Sequence, residues 1–269
     1  MTSTSTRTKT TGEVERAPFF LVLQQLGRRV LRPGGTAATR RLLSALAVGP
    51  RDDVIELAAG VGTTAKRLLA TNPKSYLAVE PEDRFAAPLD AVVAPARGRH
   101  ISVRAQDTGL PSASADVVVG EAMLSMQPAG RRAEIITEVA RLLRPGGRYG
   151  IHELTAATDD PARLAELRHD LSRATQVAAS PPPPDEWCEL LRSAGLEVHT
   201  VETLPLRLLT LRGVAADEGP WRSLLILVRL ALHTDVRRRV RRTWTTHRRH
   251  RDTLKAVIVV AEKPTGTSN

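Results

Sequence analysis

The chain has 269 residues, 42% hydrophobic and 25% charged, and a chain of that size buries about three quarters of its unfolded surface, which excludes general disorder. Lys and Arg outnumber Asp and Glu by 39 to 29, a formal charge of +10; such a balance speaks to association rather than fold, and the scarcity of lysine matches the codon bias of a high-GC genome. No run reaches the ~18 apolar residues of a membrane span, and the lone Cys188 excludes an intramolecular disulfide and a multi-thiolate metal site.

Met1–Gly12 is rich in Thr and Ser and has no apolar h-region, so it does not read as a secretory leader. We expect a disordered tail over residues 1–15 and a cytoplasmic protein. Residues 16–48 read as a helical cap. Apolar spacing predicts a helix over Phe19–Leu31, stopped by Arg32-Pro33-Gly34-Gly35, and a second over Thr36–Ala47.

From residue 49 to 263 short apolar runs alternate with amphipathic stretches. Strands are expected at Val54–Ala58, Tyr76–Val79, Ile101–Val103, Asp116–Val119, Arg148–His152, Leu196–Val201 and Lys255–Ala261. Helices are expected at Thr63–Ala70, Glu82–Val93, Arg131–Leu143, Pro161–Ala178 and Asp185–Ser193, with one or two more over Val214–Arg251. This alternation predicts an α/β domain, a mostly parallel sheet with helices on both faces. Residues 213–252 form its helical insertion, Pro181–Pro184 a stiff spacer, and residues 264–269 a tail.

The most informative segment is Val54–Ala65. A buried strand runs into a turn holding Gly60 and Gly62, and a helix follows. Glycines there admit positive φ and close approach of a ligand to the backbone, and the helix start offers free N–H groups. Alone, the turn also satisfies the dinucleotide pattern G-x-G-x-x-A or a ligand-free turn. Glu80, closing the second strand, is placed to accept from a ribose diol. Asp107 follows the third strand, just before Leu110-Pro111.

With these residues in hand, Val54–Leu154 resembles the class I S-adenosylmethionine-dependent methyltransferases, in particular the small-molecule branch near the ubiquinone-biosynthesis type. The family motif acid-x-G-x-G-x-G reads here Glu56-x-Ala58-x-Gly60-x-Gly62, with Ala58 for the first glycine. Leu142–Gly150, Leu-Leu-Arg-Pro-Gly-Gly-Arg-Tyr-Gly, resembles the family's approach to the fifth strand. The resemblance implies a Rossmann-like seven-stranded sheet with an antiparallel last strand, and S-adenosylmethionine as cofactor. It implies that Gly60 and Gly62 take the methionine part, Glu56 its ammonium, Glu80 the ribose and Pro81 the adenine face. Asp107 would take the adenine amino group, with Gln106 beside it.

Catalytic candidates stand at the ends of the fourth and fifth strands. His152 is placed for a general base or for orienting substrate, since imidazole titrates near neutrality. Glu121 would hold a substrate amine or pair with His152. Glu153 should face the opposite way. The sequence Glu121-Ala122-Met123-Leu124 lacks the Pro-Pro-aromatic motif of DNA amino-methyltransferases, and Cys188 lies too far downstream for a cytosine C5 nucleophile.

The expected reaction is methyl transfer to a small molecule, lipophilic acceptors included. RNA methylation through the C-terminal arginines, or cofactor binding without catalysis, are the alternatives. Residues 237–251 hold eight arginines. The plain reading is a solvated helix face with Val240 and Trp244 turned inward; RNA or an anionic membrane would also suit it. At 3% aromatic residues, stacking platforms for bases are scarce.

Overall fold

In a computed structural model, which describes residues 11–266, the apolar runs become seven strands. They are β1 (Asp53–Leu57), β2 (Ser75–Val79), β3 (Arg99–Ile101), β4 (Ala115–Glu121), β5 (Leu143–Ala156), β6 (Glu197–Pro205) and β7 (Leu254–Glu262). The helices are α1 (Thr11–Arg16), α2 (Phe19–Gln25), α3 (Gly35–Leu46), α4 (Ala65–Leu69), α5 (Asp83–Val93), α6 (Ala129–Leu142), α7 (Pro161–Thr175), α8 (Pro184–Ser193), α9 (Leu211–Leu232) and α10 (Thr234–Arg249).

The strands form one sheet in the order β3-β2-β1-β4-β5-β7-β6. Neighbours from β3 through β5 are parallel, and β7 is antiparallel to both β5 and β6, as expected for the last strand. Central strands are buried on both faces and therefore read as continuous apolar runs. Val54, Val117, Val119 and Ile258 pack under α3, α4 and α5. Ile55, Leu57, Val118 and Ile151 pack under α6 and α8, where Trp187 is fully buried. The indole N–H of Trp187 donates to the Leu154 carbonyl at 3.1 Å. Cys188 is buried and unpaired.

Several boundaries differ from the sequence expectation. Of the tail expected over residues 1–15, residues 1–10 lie outside the described residues, whereas Thr11–Arg16 is helical and Val14 is buried. The first cap helix ends at Gln25 rather than Leu31, because Gly27 turns the chain at φ 95°. The third strand comes two residues early. The fifth runs on to Ala156 because β7 pairs with it along its whole end. Trp244 was expected inside and is exposed; the inward positions of α10 are Val236, Arg239, Thr243 and His247.

The cap and the insertion form one unit. Phe19, Val22 and Leu23 of α2 and Leu26 just after it pack against Ile226 of α9 and Val236 of α10. Gly219, at φ 76° and ψ 169°, breaks α9 before Pro220. Just ahead of that break, Glu218 grips the chain that leaves α2. Its Oε1 accepts from Arg29 N at 2.7 Å, Val30 N at 3.0 Å and Arg28 Nε at 3.2 Å. Asp217 Oδ1 accepts from Thr36 N at 2.7 Å.

Glu218→Ala would remove the nearest carboxylate from the buried Arg28 guanidinium and strand two backbone donors. Breaking a buried pair in this way costs about 3–5 kcal/mol. The expected result is loss of amide protection over residues 28–36 in hydrogen exchange, with β1 and β4 unchanged. Wild-type protection over 28–36 would show that the grip is dispensable.

Candidate functional site

The C-terminal ends of β1, β2 and β4 open into a cavity of about 520 Å³, the usual ligand position in open α/β sheets. The cap closes it from above with Phe20, Gln24, Arg28, Leu31 and Arg32. Ala58 leaves β1 at φ 53°, a left-handed conformation that costs an L-residue roughly 1–2 kcal/mol. Gly60, at φ 57°, faces open space, with nothing within 4 Å of where a Cβ would stand. Gly62 does not line the cavity as expected. A Cβ there would meet Val92 and Leu89 at 3.1–3.2 Å, so this glycine serves the approach of α5.

Glu80 is buried at the end of β2 and lines the cavity. Its Oε2 accepts from Gly60 N at 2.8 Å and its Oε1 from Glu82 N at 3.0 Å. Burial pushes its carboxyl upward against those two bonds. Pro81 stands beside it in the lining.

Glu121 ends β4 and gathers four donors. Its Oε1 accepts from Thr39 Oγ1 at 2.7 Å and from His152 Nδ1 at 2.9 Å. Its Oε2 accepts from Thr64 Oγ1 at 2.5 Å and lies 3.1 Å from Arg32 Nε. Burial raises this carboxyl, but the Arg32 charge and the bonds from His152 and Thr64 outweigh it and hold it at about 2. The pairing of Glu121 with His152 is one of the two expected uses.

The expectation for His152 itself is overturned. It is fully buried and does not line the cavity. Its Nε2 accepts from Gly34 N at 2.9 Å, so its proton sits on Nδ1 and points to Glu121. Both ring nitrogens are taken, and His152 ties the cap to β5 instead of meeting substrate.

Glu56 is a second correction. It lies behind the cavity wall, bonded by Tyr76 Oη at 2.5 Å. Burial lifts it to about 8, against the Tyr76 bond and the Arg32 charge and helped by Glu121 and Glu80. Asp107 is the third. It is exposed and outside the lining, whereas Ala105 and Gln106 line it. The turn sends Asp107 outward because Asp107 N bonds the Arg104 carbonyl at 3.1 Å while the next residue, Thr108, is pinned inward by Glu138 at 2.5 Å.

Other determinants escaped the sequence reading. Glu153, facing away from His152 as expected, accepts from Met123 N and Leu124 N at 2.8 Å, Ser125 N at 3.0 Å and Ser125 Oγ at 2.7 Å. It thereby sets the loop that brings Met123 and Met126 to the cavity. A carboxylate inside a buried apolar strand was the available signal. Arg28, Arg29, Arg32, Arg104 and Arg131 also line the cavity. The cluster Arg28-Arg29 with Arg32 was visible only as a helix stop. Among the described residues, no group of three His, Cys, Asp or Glu side chains is arranged to hold a metal ion.

Comparison with known proteins places this geometry. The architecture is a Rossmann-like fold shared with solved methyltransferases. Residues 54–147, from β1 into β5, match the family model for a methyltransferase domain. The chain is 28% identical over 246 residues to an uncharacterized protein of Haemophilus influenzae, covering 90% of this chain and 96% of that one. Its fold is shared with the cyclase SpnF, at a TM-score of 0.68 and 15% identity over 95% of this chain and 94% of the other. It is shared too with the geranyl diphosphate C-methyltransferase of Streptomyces coelicolor A3(2), solved with Mg2+, geranyl diphosphate and S-adenosyl-L-homocysteine. That match has a TM-score of 0.61 and 14% identity over 85% of this chain and 78% of the other. These similarities do not single out the ubiquinone-biosynthesis branch.

Glu56 predicts a pH dependence of stability. Its folded value near 8 lies above the usual 4.5, so the folded state keeps a proton that the unfolded chain has lost. Stability therefore falls as pH rises between those values, by up to about 1.4 kcal/mol per pH unit. Chemical denaturation at pH 5 and pH 8 should show this slope in the wild type and a flatter one in Glu56→Gln. Equal slopes would mean that Glu56 is ionised in the fold.

Proposed function

We propose that the protein transfers a methyl group from S-adenosylmethionine to a small acceptor that joins an anionic group to an apolar body, and that it does so in the cytoplasm. The observation that carries the cofactor half is Glu80. A buried carboxylate, raised by burial and fixed by the backbone of Gly60 and Glu82, faces a cavity beside an unobstructed glycine. A ribose diol would supply the donors that such a group lacks. Pro81 would then border the adenine, with the Gln106 amide at its edge in the role first expected of Asp107.

When bound, the cofactor supplies a methyl carbon already activated on a sulfonium. The chain's remaining task is to hold the acceptor in line, and positioning alone is worth up to ~7–11 kcal/mol. Phe20, Leu31, Met123, Met126 and Ile135 offer the acceptor an apolar wall. Arg29 and Arg104 border the same space with no acidic partner for their side chains among the described residues, which suits an anion.

Neither of the two candidate bases is free to take a proton from the acceptor. Glu121 is held as a carboxylate by four donors and His152 offers no free nitrogen. The acceptor should therefore bring a nucleophile that is ionised or carries a free lone pair, and the arginines would favour its ionised form.

The RNA reading draws no support from the cavity, since none of the arginines of α10 lines it. Cofactor binding without methyl transfer keeps one observation in its favour: a protein named a cyclase shares this fold. Incubation with methyl-labelled cofactor and a fractionated extract separates these readings: label on a small molecule supports the proposed transfer, label on RNA the RNA reading, and no label binding alone.

Glu80→Ala should weaken S-adenosylhomocysteine binding tenfold or more in calorimetry, with an unchanged far-UV spectrum. An unchanged dissociation constant would remove Glu80 from the site.

A further inference from the structure

After Gly219, helix α9 is built inside out. Two of its arginines turn toward the cap: Arg222 donates to the Gly27 carbonyl at 2.9 Å and Arg229 to the Leu26 carbonyl at 3.3 Å. Ile226 and Leu230 pack on the cap, but most of its other apolar side chains turn to solvent. Trp221, Leu224, Leu225, Leu227, Val228 and Leu232 are between 47% and 77% exposed. Residues 221, 224, 225, 228 and 232 follow helical spacing and make one continuous stripe. Scattered exposed apolar residues need no explanation, but a contiguous stripe marks an interaction surface.

The stripe is continuous with a basic face. A single residue, His233, separates α9 from α10, and Arg237 donates to the Ala231 carbonyl at 3.1 Å. Arg238 and Arg241 are exposed and form no ion pair among the described residues. Arg248 lies over the exposed Trp244 ring at 5.3 Å. Met1–Thr10 contains no apolar residue besides Met1 and so brings no apolar cover of its own.

We propose that the outer face of α9, with the arginines of α10 beside it, seats the protein on an anionic lipid surface. Apolar residues with Trp beside arginines are the composition that partitions into the headgroup boundary. No described helix is long and apolar enough to cross a membrane, so the seat is peripheral. A second copy is a poorer occupant: it carries the same arginines beside its own stripe and so offers them no opposite charge. The opposite side of α9 packs on α2, whose Phe20 and Gln24 line the cavity. Helix α9 thus stands between the seat and the cap residues that line the cavity, and lipid binding does not depend on the methyl-transfer reading.

The test is sedimentation of the full chain with vesicles of phosphatidylcholine, with and without phosphatidylglycerol. We expect at least tenfold stronger binding to the anionic vesicles, falling steeply with salt. Leu224→Glu with Val228→Glu, and separately Arg238→Glu with Arg241→Glu, should each reduce it tenfold or more. Unchanged unfolding temperatures and S-adenosylhomocysteine affinity would show that these exposed substitutions spare the fold. Trp221→Phe should remove most of the fluorescence blue shift seen on binding. Absence of binding, equal binding to phosphatidylcholine alone, or wild-type binding by either double variant would overturn the proposal. So would a dimer in light scattering that Leu224→Glu with Val228→Glu dissolves, which would assign the stripe to a second copy.

Discussion

The carboxylate of Glu121 is where the cap, the glycine loop and the sheet meet. Arg32 reaches it from the cap, Thr39 from α3, Thr64 from the turn before α4 and His152 from β5. Buried ionised groups survive only when paired and hydrogen-bonded, so each donor holds its own segment in place. Removing one partner from such a buried arrangement costs about 3–5 kcal/mol. The arrangement extends one step further, because His152 accepts from the backbone of Gly34 and so fixes the turn into α3.

The same device recurs around the cavity. Glu153 orders the loop after β4, Glu138 the turn after β3 and Glu218 the chain between α2 and α3. Each is a buried carboxylate accepting from backbone or hydroxyl donors of a segment that lines the cavity. Glu138 illustrates the electrostatics: Arg141 and Thr108 hold it at about 2 despite partial burial. The walls are thus loops fixed by charge-assisted hydrogen bonds rather than by regular structure. That leaves the lining free for apolar side chains and for arginines whose charges are not consumed within the wall.

Local features were legible in the sequence. Apolar runs bounded by Gly, Pro and Asp marked the strands, because a strand buried on both faces must be apolar throughout. Gly60 and Glu80 were legible for the same reason, since a strand end and the turn beside it lie close in sequence. What depended on distant partners was not. His152 looked available for proton transfer because its Nε2 partner lies 118 residues away. Asp107 lies outside the cavity lining and Gln106 within it because the inward pull on Thr108 comes from Glu138, 30 residues on. Helix α9 reads as apolar on most positions, yet its arginines turn inward to carbonyls of Leu26 and Gly27, just past the end of α2.

Hydrogen exchange on the wild type and on Glu121→Gln tests the central role given to this carboxylate. The account predicts that residues 32–39 and residues 60–65 lose amide protection together in the variant, and that both regain less of it on adding S-adenosylhomocysteine than the wild type does. Wild-type protection in both segments would contradict it, and would return Glu121 to the chemistry of the cavity rather than its construction.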